Sequence, residues 1–120
     1  MENWKVGINM SNKIMKNIEQ SKTFKLSELV TYQEGQVVSK TLVQNPNINL
    51  TLFSFDKGEE ISSHSSHGDA MVYVIDGLAE ITIGDEKFNV NAGETIVMPA
   101  EVPHAVYAPD RIKFMLTVIF

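Results

Sequence analysis

The chain has 120 residues, no cysteine and a formal net charge of −5. This length is typical of one domain with a core large enough to need no disulfide bonds, and the lack of cysteine excludes disulfides and thiolate metal sites. The acidic balance argues against nucleic acid and against an anionic membrane surface as partners, because both favour clustered Lys and Arg. No apolar run resembles a signal peptide or a membrane span, so we expect a soluble, cytoplasmic protein.

Residues 1–30 differ in pattern from the rest of the chain and are interpreted as an appendage to a domain of residues 31–120. Asn12 is a candidate N-cap for a short helix, whose Ile14, Met15 and Ile18 would lie on one side. The sequence therefore predicts a short, partly helical N-terminal appendage.

From Gly35 onward, short strand-like segments alternate with tight turns. The segments are QVVSKTLV, INLTLFSF, AMVYVID, AEITIG, FNVNAG, ETIVMP, HAVYA and IKFMLTVIF, with Gly, Asn, Asp and Pro between them. Strands at a spacing of roughly ten residues with such turns predict an all-β sandwich or barrel.

Two glycine-bounded motifs narrow the choice among β folds. Five residues separate Gly58 from His64, and the five residues ETIVM separate Gly93 from Pro99, with His104 further on. In this order and spacing the motifs resemble those of the cupin superfamily. With the phrase Gly-Asp-Ala before a strand, the chain is similar to small single-domain bacterial cupins that have a reduced first motif. The resemblance implies an all-β fold, a cupin-type jelly-roll β-barrel.

The chain departs from the cupin pattern at four positions. Ser66 stands where the first motif has its second histidine, and Ala70 stands where that motif has its glutamate. In the second motif, Glu101 replaces a glycine and Ala108 replaces an asparagine. The first motif therefore keeps only His64 of its three metal ligands.

The three histidines are the candidate metal ligands. By the resemblance, His64 and His104 occupy ligand positions that point into the barrel. Strict alternation turns His67 outward, but Gly68 and four serines in SSHSSHGD allow an irregular turn that brings it inward. Neutral imidazoles suit zinc, iron, nickel or copper, and suit manganese less because manganese favours oxygen ligands. Alternatively, His64 and His104 line a pocket without a metal and hydrogen-bond an organic ligand or water.

Alternation also assigns faces to the segment AMVYVID. Ala70, Val72 and Val74 should point inward, and Met71 and Tyr73 should point outward. We therefore expect a mostly apolar pocket with two imidazoles at one end.

Two acidic residues near the histidines each allow two interpretations. Asp69 either replaces the lost carboxylate or caps a backbone group, and its place in a Gly-Asp turn favours capping. Glu101 either supplies a general acid or base at the barrel mouth or is a solvated loop charge.

Three functions remain open on the sequence alone. The first is a small cupin that binds a divalent transition metal and a small organic ligand, with dioxygenase-, isomerase- or decarboxylase-like chemistry or with none. The second is a metal-free, non-catalytic module that binds or senses a small molecule, and the third is a structural interaction domain. We also expect a homodimer, because KFMLTVIF and the outward Met71 and Tyr73 expose more apolar surface than a solvated sheet should carry.

Overall fold

The computed structural model describes residues 14–120. Its nine strands are β1 (Val37–Gln44), β2 (Ile48–Phe55), β3 (Glu60–His64), β4 (Asp69–Asp76), β5 (Leu78–Ile83), β6 (Glu86–Asn91), β7 (Thr95–Met98), β8 (His104–Tyr107) and β9 (Ile112–Ile119). They form a five-stranded sheet in the order β1-β2-β9-β4-β7 and a four-stranded sheet in the order β3-β8-β5-β6. Most consecutive strands lie in different sheets, so the prediction of an all-β, jelly-roll-like fold is confirmed.

The two sheets do not join into a closed barrel, which corrects the prediction of a β-barrel. Within the described part of the chain, β1 and β7 are the edges of the larger sheet, and β3 and β6 are those of the smaller sheet. Edge strands β3 and β7 have only five and four residues. Among residues 14–120, no ladder joins an edge strand of one sheet to an edge strand of the other, and closure requires such ladders. The sheets pack face to face as a sandwich instead.

The predicted helix after Asn12 is also corrected. Asn12 itself lies outside the described residues, and residues 14–25 contain bends and extended backbone. Asn17 and Ser21 have φ of 59° and 58°, a left-handed conformation that interrupts an α-helix. One 3-10 turn, Leu26–Glu28, follows. In residues 14–120 no helix is long and apolar enough to cross a membrane.

The segment before β1 packs on the outer face of the larger sheet. Apolar side chains of the segment and of the sheet form one hydrophobic cluster on this face. Its buried members are Val30, Leu42, Val43 and Leu52, and its partly buried members are Ile18, Leu26, Leu29, Ile48, Leu50, Ile75 and Met115. The hydroxyl of Ser54 donates to the carbonyl oxygen of Thr31 at 2.8 Å, and Nζ of Lys113 donates to that of Ser27 at 2.6 Å. Part of this outer face is thereby covered.

The space between the sheets holds the main core. On β4 the predicted faces are confirmed, because Ala70, Val72 and Val74 are buried and Met71 and Tyr73 are exposed. The rings of Phe53, Phe55 and Phe114 stack or meet edge to face with centroids 5.0–5.9 Å apart. This packing fixes the two sheets relative to each other, and with them the side chains at the sandwich ends.

Candidate functional site

A β-bulge in β3 brings His64 opposite His104. In the ladder between β3 and β8, Ile61 pairs with Val106 and His64 pairs with His104, so three steps along β3 match two steps along β8. Val106 and His104 share the inner face because they are two residues apart. The extra residue places Ile61 and His64 on that face as well, whereas a regular strand would turn His64 outward.

The two imidazole rings contact each other. Their centroids are 4.5 Å apart and their planes meet at 67°. His104 is buried, with 4% of its surface exposed, whereas His64 is exposed. The pair therefore lies at the rim of the sandwich, where a solute reaches it from water.

Each ring of the pair has its Nδ1 atom beside a backbone carbonyl. Nδ1 of His64 is 3.0 Å from the oxygen of Ser62, and Nδ1 of His104 is 3.3 Å from that of Val102. A carbonyl oxygen only accepts, so Nδ1–H donates in both neutral rings and Nε2 keeps a free lone pair. Metal-binding histidines are normally held in this way. Sequence analysis missed both carbonyls, because no side-chain pattern indicates them.

His104 is held in its neutral form. Burial lowers the pKa of His104, and the neighbouring charge of a protonated His64 lowers it further, while the bond to the Val102 carbonyl acts in the opposite direction. The pKa of His104 thus lies below the usual value of about 6.5. The neutral ring is the form that binds a metal or accepts a hydrogen bond at Nε2.

His67, the third predicted ligand, does not join the pair. Its Nδ1 is 2.8 Å from Oε1 of Glu101, and the two side chains are 91% and 66% exposed. The hydrogen bond to Glu101 and the charge of that carboxylate raise the pKa of His67. Among residues 14–120, no three His, Asp or Glu side chains converge in a way that could hold a metal ion. The structure brings together His64 and His104 only.

Two loops beside the pair are tied to each other. Glu101 has a φ of 68°, the left-handed conformation that glycine adopts most readily, and it stands where the second motif has a glycine. Its backbone N–H donates to the carbonyl oxygen of Ser66 at 2.8 Å. Oδ1 of Asp69 accepts from the backbone N–H of Ala100 at 2.8 Å, so its predicted capping role is confirmed. The turn after β3 and the loop before β8 therefore form one connected rim.

A shallow pocket of about 320 Å³ opens elsewhere, on the outer face of the smaller sheet. It is lined by Glu60, Glu80, Thr82, Lys87, Ala105 and Tyr107. Ala105 and Tyr107 alternate along β8 with the inward-facing His104 and Val106, so this pocket is on the opposite side of the sheet from the histidine pair. Its charged lining differs from the apolar pocket that the sequence predicted beside the imidazoles.

The family model described as cupin domain matches residues 51–120. The chain belongs to the cupin family. A conserved protein of unknown function from Streptococcus pyogenes is 48% identical, with a TM-score of 0.88, over 89% of this chain and 94% of its own. A cupin superfamily protein from Desulfitobacterium hafniense is 30% identical, with a TM-score of 0.85, over 88% of this chain and 97% of its own.

A cupin 2 conserved barrel domain protein from Leptotrichia buccalis is 43% identical, with a TM-score of 0.79, over 81% of this chain and 47% of its own. No curated protein matches the chain. The resemblance to small bacterial cupins is thus confirmed. These relatives establish the fold and the family of this cupin.

Proposed function

We propose that this cupin binds a divalent transition metal through Nε2 of His64 and Nε2 of His104, together with a small organic ligand. The observation that supports this proposal is the contact of two imidazoles whose Nδ1–H groups are held by backbone carbonyls. Each ring thereby keeps one Nε2 lone pair, and the two rings are in contact at the rim. Zinc, iron, nickel and copper suit imidazole nitrogen, and manganese suits it less.

The residues at hand fit a partly open metal site. Ser66 and Ala70, at the other ligand positions of the first motif, offer neither imidazole nor carboxylate. Open zinc sites have three protein ligands and one position for water or substrate, so two protein nitrogens would leave a further position for the organic ligand or a second water. When bound, the metal would supply Lewis acidity to an oxygen of that ligand. His67 would join only if the serine-rich turn moved inward, which its bond to Glu101 opposes.

The second candidate function is a metal-free module that binds or senses a small molecule. It is favoured by the lack of a third converging His, Asp or Glu among the described residues. In this case Nε2 of each histidine accepts a hydrogen bond from the organic ligand. The two functions differ in whether a metal binds at all.

Calorimetric titration of untagged protein with zinc, iron(II), nickel, copper and manganese tests the metal proposal. We expect stoichiometric binding of the first four metals at neutral pH and weaker binding of manganese. His64→Ala and His104→Ala should each abolish binding, because one imidazole does not hold the ion. Occupancy should fall as the pH is lowered, since a protonated imidazole cannot coordinate, and the lowered pKa of His104 keeps that ring available to lower pH than an ordinary imidazole.

His67→Ala is the matched control, since it removes an exposed imidazole that is outside the pair, and it should leave metal affinity unchanged. A loss of affinity in this variant would mean that the turn does fold inward. If none of the five metals binds the wild-type protein, the metal proposal fails and the metal-free module takes its place.

We also propose that the protein is a homodimer through the outer face of its larger sheet. Met71, Tyr73, Val97 and Ile119 are 36% to 52% exposed. Met71 lies directly opposite Val97 in the ladder of β4 and β7, so the patch is continuous across strands. A contiguous apolar patch of this kind is typical of an interface.

Light scattering should therefore give the wild-type protein twice the mass of one chain. Met71→Glu should shift the population to monomer, because a charge at the centre of the patch would be buried without a partner. Tyr107→Glu, which introduces the same charge at a similarly exposed position on the other sheet, should leave the dimer intact. A monomeric mass for the wild type at micromolar concentration would contradict the proposal.

A further inference from the structure

A buried polar atom between the sheets lacks a partner. Within residues 14–120, Oδ1 of Asn49 is buried and has no hydrogen-bond donor within reach. Burying an unpaired acceptor costs stability, and native structures rarely keep such an atom without a reason. Two other polar side chains among the described residues have partners: the hydroxyl of Ser54 donates to the carbonyl oxygen of Thr31, and Oδ1 of Asn45 accepts from two backbone N–H groups.

Asn49 lies on the inner face of the larger sheet. It pairs with Val118 of β9, and Val118 pairs in turn with Ala70 of β4. Residues directly opposite each other share a face. Because Val118 and Ala70 belong to the core between the sheets, Asn49 points there as well. Its row includes Ala70, the position at which the first cupin motif has its glutamate.

This row is at the same end of the sandwich as the histidine pair. The turn at Gly58 connects β2 to β3, and the loop at Ala108 connects β8 to β9. The backbone N–H of Gly58 donates to the carbonyl oxygen of Ala108 at 2.8 Å, so the two connections are neighbours. These turns mark one end. The start of β2, with Asn49, and the end of β3, with His64, therefore meet at the other end, on facing sheets about 10 Å apart.

A close approach at Gly68 supports this placement. Gly68 lies in the turn that follows His64, and a Cβ built on it would be 2.9 Å from Cγ1 of Val118. Val118 is the direct neighbour of Asn49 on the next strand. The turn that carries the first motif thus passes over the strand beside Asn49.

We infer that Asn49 is a third polar group of the site, and that its Oδ1 accepts a hydrogen bond from the organic ligand. The inference rests on the proposed binding of a ligand at His64 and His104. An amide oxygen only accepts, so the ligand must present a hydroxyl or an amine at this point. Val118 and Ala70 flank the amide, so the adjoining part of the ligand is apolar. The class is a small molecule that carries a metal-binding group, an apolar part and a hydroxyl or an amine.

Thermal denaturation of metal-free protein gives the first test. Asn49→Leu, whose side chain has the same number and branching of heavy atoms, should raise the unfolding midpoint by a few degrees, because it removes an unsatisfied polar atom. Asn49→Val serves if leucine overpacks the site. Gln44→Leu, at the exposed amide paired with Asn49, is the control and should leave the midpoint unchanged. A lower midpoint for both Asn49 variants would show a structural role and overturn the inference.

Ligand binding gives the second test, with zinc-loaded protein and two acids that differ by one hydroxyl. Wild type should bind 3-hydroxypropionate roughly tenfold more tightly than propionate, as expected for one hydrogen bond. Asn49→Leu should lose this preference and keep its affinity for zinc and for propionate. Equal affinities in the wild type, or binding of neither acid, would overturn the inference, and so would loss of zinc in Asn49→Leu. If wild type binds no zinc, the proposed function fails, and the denaturation test still decides the role of Asn49.

Discussion

Replacing Ala70 by glutamate is expected to destabilise the metal-free protein and to create a tighter metal site. Ala70 is 1% exposed on the inner face, so the new carboxylate would be buried without a partner. The expected loss is about 3–5 kcal/mol in the free energy of unfolding. A bound cation would supply the missing positive charge. Manganese, which favours oxygen ligands, should therefore bind this variant more tightly than the wild type and restore much of its stability.

Val74→Glu is the matched control for this experiment. Val74 is also fully buried and on the same face of β4, four residues further from the histidine end. The Val74→Glu protein should lose as much stability as the Ala70→Glu protein. Manganese should not restore that stability, because no imidazole is near position 74. Thermal denaturation of both variants with and without manganese decides between the outcomes. Equal rescue of the two, or rescue of neither, would contradict a metal site at His64 and His104.

Gly68→Ala should be the most damaging alanine substitution in the loops around the site. A Cβ at this position would lie 2.5 Å from the backbone oxygen of Ile119, and backbone yields far less readily than a side chain. We expect a loss of about 3 kcal/mol in the free energy of unfolding, at the upper end for overpacking. Because the turn follows His64 directly, metal affinity should fall as well. Urea denaturation and calorimetry measure the two effects.

Gly93→Ala provides the comparison for Gly68. Gly93 has a φ of 86° but nothing within 4 Å of a built Cβ, so alanine there meets only backbone strain. That strain should cost about 1–2 kcal/mol. If Gly68→Ala loses no more stability than Gly93→Ala, the contact between the turn and β9 is not rigid.

The spacing of strands and turns and the two motifs predicted the fold, and alternation, a local property of period two, assigned the faces of the strands. It placed Ala70 and Val72 inside and Met71 outside, as the structure does. It did not distinguish a sandwich from a closed barrel, since both give the same alternation along every strand. Closure depends on pairing between edge strands that are distant in sequence, and no residue pattern within β3 or β7 reports that pairing.

The helix prediction failed for a different reason. The apolar spacing of Ile14, Met15 and Ile18 fits one face of a helix, but in the structure Ile18 packs on the sheet from an irregular segment, and Ile14 is 75% exposed. The backbone N–H of Lys16 donates to Leu42 on β1 at 2.7 Å, and Asn17 is left-handed. These contacts with the sheet override the local propensity.

Motif spacing indicated that His64 and His104 belong together, and the structure has them in contact. The bulge that produces this contact was not predictable, because alternation assumes a regular strand.

Asn49 did leave a signal in the sequence. In INLTLFSF, alternation groups it with Phe53 and Phe55 on the inner face, where an amide is out of place. Its unpaired oxygen became evident only from packing.

The backbone carbonyls behind the histidine pair make its protonation pattern robust to point mutation. Every residue carries a carbonyl, so any substitution at Ser62 or Val102 leaves an acceptor for Nδ1–H in place. A carboxylate partner, such as Glu101 for His67, is lost with a single codon change. Substitutions at the other positions of the first motif can therefore change the metal or ligand preference, while both imidazoles keep Nε2 free for binding.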